Sequence, residues 1–255
     1  MDIETYLRRI DFDRPVKPDV ETLFGLHRTH LLTVPFENLD IHLGKPIQLS
    51  EQALWDKIIV HRRGGFCYEL NGMFAWLLRQ IGFEVTYLNG RVYNNQGRRG
   101  REFDHLTLLV RIPNEKASWL ADVGFGDSFF EPLKFEYNSK QGQGLRVYRL
   151  DTVEEGIDVL RRDYDGNWDS QYFFDLVSRD FPSDFESSCH YHQTSPTSSF
   201  TRSRVVSLAM PDGRISLDNN NLTITTNGKQ IKRQLSGSTE FQELLMRYFG
   251  IELNV

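Results

Sequence analysis

Cysteine is nearly missing from this 255-residue chain, which holds only Cys67 and Cys189. Two thiols are too few for a disulfide scaffold, so the expected setting is the reducing cytoplasm with both thiols free. Long apolar runs are missing as well. No segment approaches the roughly 18 uncharged apolar residues of a membrane span. The opening MDIETYLRRIDFDRP mixes acids, bases and apolar residues where a signal peptide would carry an apolar core. Positive charge is not in excess either. Lysine and arginine total 30 against 35 aspartates and glutamates, a net charge of −5, which argues against a general nucleic-acid binder. No glycine pattern resembles a Walker loop or a dinucleotide fold. Cys189-His190-Tyr191-His192 gathers metal-ligand residue types without the paired spacing of a zinc site. It reads as a loop, and no metal is expected.

What is present is ordinary soluble composition, 39% hydrophobic and 25% charged, in a chain long enough for a sizeable core. The first third reads helical. Val20, Leu23, Phe24, Leu26 and Leu31 recur at mostly three-to-four spacing, and Pro35 forces a break. Ser50 N-caps a further start. The clearest helix follows Cys67: Leu70, Met73, Phe74, Leu77, Leu78 and Ile81 form one apolar stripe, with Gly82 as its stop. From Phe83 the alternation turns to period two, with Leu106, Leu108, Val110 and Ile112 on one face of a strand. A turn at residues 113–118 leads into a returning strand at 119–123. Further strands are expected at 145–150, 168–177, 205–210 and 215–217, with another at 221–226, and a terminal helix at 238–249. Helices, then strands, then a helix is an α+β order.

Cys67 sits at the head of its helix, behind Arg62-Arg63-Gly64-Gly65. Glycines there permit a sharp turn or a close backbone approach. Unsatisfied N–H groups and the positive end of the helix dipole favour an anion, so the thiol pKa is expected to fall below its usual value of about 8.5. The same position also suits a small, inert, buried thiol. A nucleophile needs a base, and the base an orienting acid. His105 opens one strand and Asp122 closes the next, so an antiparallel hairpin puts both at one end. Asp122 capping its own turn and His105 pairing with Asp104 is the other arrangement.

Those residues carry a resemblance. RGGFCYELN, DHLTLLV at 104–110 and DVGFGD at 122–127 resemble the arylamine N-acetyltransferases. So do VPFENLDIH at 34–42, SPTSSFTRSRV at 195–205 and the PDGR turn at 211. The likeness runs in order along nearly the whole chain, and without the central insertion or long tail of vertebrate members it is similar to the compact bacterial form.

The resemblance implies an α+β fold with a cysteine-protease-like Cys-His-Asp core. Its parts are an N-terminal helical bundle (1–82) carrying the nucleophile, a central β-barrel-like domain (83–195) carrying His and Asp, and a C-terminal α/β lid (196–255). It implies Cys67, His105 and Asp122 as catalytic triad. It also implies acetyl-coenzyme A as acyl donor and a ping-pong transfer through acetyl-Cys67. The acceptors are arylamines, arylhydrazines or N-hydroxyarylamines, the chemistry by which foreign aromatic amines are acetylated. Phe36 and Phe125 would wall the acceptor pocket, and Gly124 and Gly126 would leave room beside the thioester. Arg63 would brace Glu37. The chain would act as a monomer or homodimer, with no membrane or nucleic-acid partner. The alternatives are a related amide synthase, another acyl-coenzyme A-dependent N-acyltransferase, or a Cys-His-Asp hydrolase. The basic loop at 97–101 is a further candidate for coenzyme A phosphates, against a solvated surface loop.

Overall fold

Aspartate caps start the first helices. A computed structural model describes residues 1–127, 129–162 and 165–253. Asp2 accepts from Thr5 N at the head of α1 (Ile3–Arg9), and Asp19 from Thr22 N at the head of α2 (Val20–Thr33), each at 2.8 Å. Pro35 then breaks the chain into β1 (Phe36–Glu37) and the single turn α3 (Leu39–His42). Ser50 caps α4 (Glu51–Trp55), which runs on as one π-helical turn over Asp56–Val60.

Helix α5 (Cys67–Ile81) differs from its expected single stripe. Every residue from Cys67 to Leu78 is buried, including Glu69 and Asn71. The helix is therefore central, with neighbours all round, and its polar side chains must find partners inside the protein. Gly82 ends it in the left-handed region, at φ 107°.

The first sheet contains β2 (Glu84–Val92), β3 (His105–Arg111), β4 (Ser118–Ala121) and β5 (Leu133–Lys134), then β6 (Gln141–Gln143), β7 (Arg146–Val153), β8 (Gly156–Arg162) and β9 (Trp168–Phe174). Its order is β5-β4-β3-β2-β9-β8-β7-β6, antiparallel throughout. The sheet curls into a nearly closed barrel around Leu88, Leu120, Tyr148, Leu150, Val159 and Phe174. Side chains bridge its two edges. Gln141 accepts from Lys134 N at 2.7 Å and donates to Lys134 O at 2.9 Å. Gln143 treats Glu131 the same way, at 3.0 and 2.7 Å.

Two helices follow, α6 (Glu186–Thr194) and the short α7 (Ser199–Arg202). The stretch from Cys189 to His192, expected as a loop, lies inside α6. Its alternating polar and aromatic residues give little helical amphipathicity to read, and packing of Phe185 and Cys189 into the helical core decides the outcome. The second sheet holds β10 (Val205–Met210), β11 (Gly213–Asp218), β12 (Asn221–Thr226) and β13 (Lys229–Gln234), in the order β1-β10-β11-β12-β13. It packs against α8 (Ser238–Phe249) through Val206, Leu217, Phe241 and Leu245. Strand β1 thus joins the N-terminal helices to the C-terminal sheet, with Phe36 opposite Ser207. Among the described residues, no helix is long and apolar enough to cross a membrane.

Candidate active site

The two glycines before Cys67 serve the chain itself. A Cβ on Gly64 would stand 1.9 Å from Pro35 O, and one on Gly65 would stand 2.7 Å from the Glu69 Cβ. The Pro35–Glu37 segment runs directly alongside them, with Glu37 N donating to Gly65 O at 2.9 Å. Close backbone approach is required here by the protein's own strand. Charge fixes the same junction. Arg63 Nη2 lies 2.7 Å from Glu37 Oε1 and 3.0 Å from Asp40 Oδ1. Lys57 Nζ reaches Asp40 and Glu69, each at 2.7 Å. Glu69 also accepts from Phe66 N at 3.1 Å, closing the first turn of α5.

Cys67 is 4% exposed at the head of that turn. Its helix position alone predicts a lowered pKa, and the structure reverses this. Burial pushes the thiol well above its ordinary range. A backbone hydrogen bond with Leu106 pulls it back in part, and Asp104 and Asp122 push it further up. A lone thiolate is therefore disfavoured, and charge on sulfur calls for a matching positive partner.

The β3–β4 hairpin brings an imidazole to the same cavity. Leu108 pairs with Ala121. Extending that register one step sets Asp122 opposite Thr107, on the same face as His105. His105 Nε2 lies 2.7 Å from Asp122 Oδ2. Asp122 Oδ1 accepts from Asn71 Nδ2 at 2.8 Å and Gly124 N at 3.0 Å. The Tyr172 hydroxyl hydrogen-bonds the same carboxylate. Burial raises the Asp122 pKa, but His105, Asn71 and Gly124 outweigh it, so the carboxyl stays below its ordinary value.

Cys67 and His105 line one cavity of about 1350 Å³ with Phe36, Gly124, Phe125 and Gly126. Phe125 meets the His105 ring at 5.3 Å in a T-shape. Gly124 is pressed on the backbone of Cys67, because a Cβ there would stand 2.8 Å from Cys67 Cα. Gly126 has room but adopts φ +76°. Further along the wall, Asp127 accepts from Arg146, Arg161 and Arg214 at 2.7, 2.9 and 3.0 Å. None of residues 97–101 lines the cavity. Instead Arg99 lies over the Phe173 ring and Arg101 over Tyr191.

A sequence profile described as N-acetyltransferase matches residues 19–255. The arylamine N-acetyltransferase of Escherichia coli K12 is 34% identical over 96% of this chain and 87% of its own length. Human arylamine N-acetyltransferase 1 is 33% identical over 99% and 95%. The chain belongs to the arylamine N-acetyltransferase family. It is accordingly an acyltransferase. The solved arylamine N-acetyltransferase of Mycobacterium smegmatis superposes with a TM-score of 0.93 at 32% identity, covering 99% of this chain and 93% of that one. The Mycobacterium marinum arylamine N-acetyltransferase, solved in complex with CoA, gives 0.91 at 32% identity, covering 98% and 93%.

Several residues that hold this site together were given no role by the motifs, although Glu69, Asn71 and Asp104 lie within them. Asn71 lies four residues after Cys67, so helical spacing alone puts both on one face. Besides Asp122 it holds Leu106 O at 2.6 Å and accepts from Val123 N at 2.9 Å, tying α5 to β3 and to the chain just beyond β4. Lys57 and Glu69 sit in helical segments where charged residues ordinarily face water. His192 and Asp104, 3.2 Å apart, also line the cavity. His27 and Tyr172 come from distant segments and leave no local signal.

Proposed function

We propose that this cavity transfers acetyl from acetyl-coenzyme A to aromatic amines through an acetyl-Cys67 thioester. The observation that carries the reading is the meeting of Cys67, the His105–Asp122 pair and the Phe36 and Phe125 rings on one cavity wall. With its pKa raised, Cys67 rests as a thiol, so its proton leaves as the sulfur attacks the thioester carbonyl. His105 takes that proton on Nδ1, because Nε2 is held by Asp122. The carbon–sulfur bond to coenzyme A breaks and the proton goes out with its thiol. An arylamine, arylhydrazine or N-hydroxyarylamine then attacks acetyl-Cys67. Its proton passes through His105 back to the departing Cys67 sulfur.

An aromatic amine is neutral at pH 7 and already nucleophilic, so orientation is what it requires. Phe36 and Phe125 supply flat apolar walls for the ring. Asp122 keeps His105 turned toward the sulfur and offsets the imidazolium charge. The N–H groups of Val123 and Gly124 are already committed to Asn71 and Asp122, so neither donates to the oxyanion.

Mass spectrometry after exposure to acetyl-coenzyme A tests this. One acetyl group on Cys67, lost on adding an arylamine and never formed in Cys67→Ser, is the expected result. Labelling by another acyl thioester alone would move the reading to a different N-acyltransferase. Peptide cleavage without any thioester would move it to a hydrolase.

A further inference from the structure

Strand β4 ends at Ala121, and the catalytic acid is the next residue. From Asp122 to Gly124, side chains take the place of the sheet ladder. Val123 N goes to Asn71, Gly124 N to Asp122's own carboxylate, and Asp122 N to His27 Nε2 at 3.1 Å. The opposite edge of the His27 ring reaches back to the same loop, with Nδ1 3.0 Å from Phe130 O.

These two contacts fix the ring's state. A backbone N–H only donates, so Nε2 accepts. A backbone carbonyl only accepts, so Nδ1 carries the hydrogen. That is one neutral tautomer, with both nitrogens used. The ring is fully buried, stacked at 5.6 Å and 6° on Phe129 and edge-on to Phe74 at 6.0 Å. Burial lowers its pKa to about 4, which agrees with the neutral form.

We infer that His27 is a positioning residue for the transfer reaction. It joins Asp122 to Phe130 and sets where Asp122, and through it His105, stands against Cys67. The bond to Asp122 N governs the chemistry, and the bond to Phe130 O anchors the ring's other edge. The inference rests on the triad reading above. Nothing in the catalytic motifs points to residue 27, which comes from the middle of α2 and reaches the site only through the tertiary fold.

Two substitutions separate the bonds. A glutamine amide oxygen falls where Nε2 stands, and an asparagine amide nitrogen falls where Nδ1 stands. His27→Gln therefore keeps the acceptor for Asp122 N, and His27→Asn keeps the donor for Phe130 O. The measurement is the rate of Cys67 alkylation by iodoacetamide, together with kcat and KM for acetyl transfer, well below each variant's Tm. The expected result is a tenfold or greater loss of alkylation rate and kcat in His27→Asn, with KM within threefold. His27→Gln stays within threefold of the wild type. Equal losses in both, or a larger loss in His27→Gln, would overturn the inference, as would two unaffected variants. Alkylation needs no acyl donor. A wild-type chain that acetyl-coenzyme A fails to label would sink the acetyltransferase reading, while the alkylation comparison would still decide the role of His27.

Discussion

Replacing Gly124 by alanine tests whether the turn after Asp122 is seated on Cys67. The new Cβ would stand 2.8 Å from Cys67 Cα, 2.8 Å from Asn71 Nδ2 and 2.9 Å from Cys67 O. Carbon atoms settle at about 3.5–4.0 Å, so turn and helix must part by about 0.7 Å or more. Neither side yields easily. Cys67 is the first residue of a helix buried on all sides, and the turn is held through Asp122 and Val123. Overpacking of this kind costs about 1–3 kcal/mol, and each kcal/mol lowers Tm by about 2–4 °C in a chain of this size. A displacement approaching 1 Å between reacting groups costs on the order of 10²-fold in rate, so kcat/KM should fall about 10- to 100-fold. Gly126→Ala is the control. Its Cβ clears Phe36 by 3.8 Å, but φ +76° strains any other residue by about 1–2 kcal/mol. The two variants should lose similar stability, while only Gly124→Ala slows Cys67 alkylation, which needs no room for a thioester. A Gly124→Ala enzyme with at least half the wild-type kcat/KM would refute the reasoning.

Three shorter tests follow from the buried charges. Arg63→Ala leaves Glu37 and Asp40 with Lys57, 3.9 and 2.7 Å away; it should cost about 3 kcal/mol by thermal melt and change Cys67 alkylation less than threefold, whereas an unchanged Tm with a dead thiol would contradict that. Burial raises Glu69 to about 7, so between about pH 4.5 and 7 the folded chain keeps a proton the unfolded chain has lost, and this stabilisation fades as pH rises. His27, lowered to about 4, acts oppositely, losing stability as pH falls below its ordinary 6.5. Glu69→Gln removes the first slope, so urea-melt stability should drop more steeply on acidification than in the wild type; an identical profile would count against it. Asp127→Asn takes away the carboxylate shared by Arg146, Arg161 and Arg214, which is 38% exposed to the cavity. A loss of about 2 kcal/mol is expected, partly recovered in phosphate buffer, and no phosphate dependence would rule the account out.

The legible parts of the sequence were those where one periodicity dominates. Helix α5, the β3–β4 hairpin, the turn at Pro211 and Asp212 and helix α8 all follow from spacing and caps. Strand β13 did not, because all six of its residues are exposed and neither face is apolar. Strand β8 went unmarked too, although its Ile157 and Val159 face the barrel core. In the site, the family resemblance carried by the motifs pointed to Cys67, His105 and Asp122. The residues that hold them in place were mostly silent. Asn71 could have been found from its four-residue offset. His27 could not, because a buried histidine in mid-helix looks the same whether it packs or braces.

The glutamine bridges across the barrel edges make that ring a clasp. Elsewhere around the barrel, circumference is fixed by main-chain pairing, which no substitution short of proline removes. At the clasp it is written in two side chains, each offering the donor and acceptor of a peptide group on a rotatable stem. Glu131, Gly142 and Gln143 also border the cavity. The girth of the cavity is therefore set, along that side, by residue identity. A glutamate at 141 or 143 would keep the acceptor, lose the donor and face a carbonyl with like charge. Within one backbone architecture, this is a place where the size of the opening can change by single substitutions.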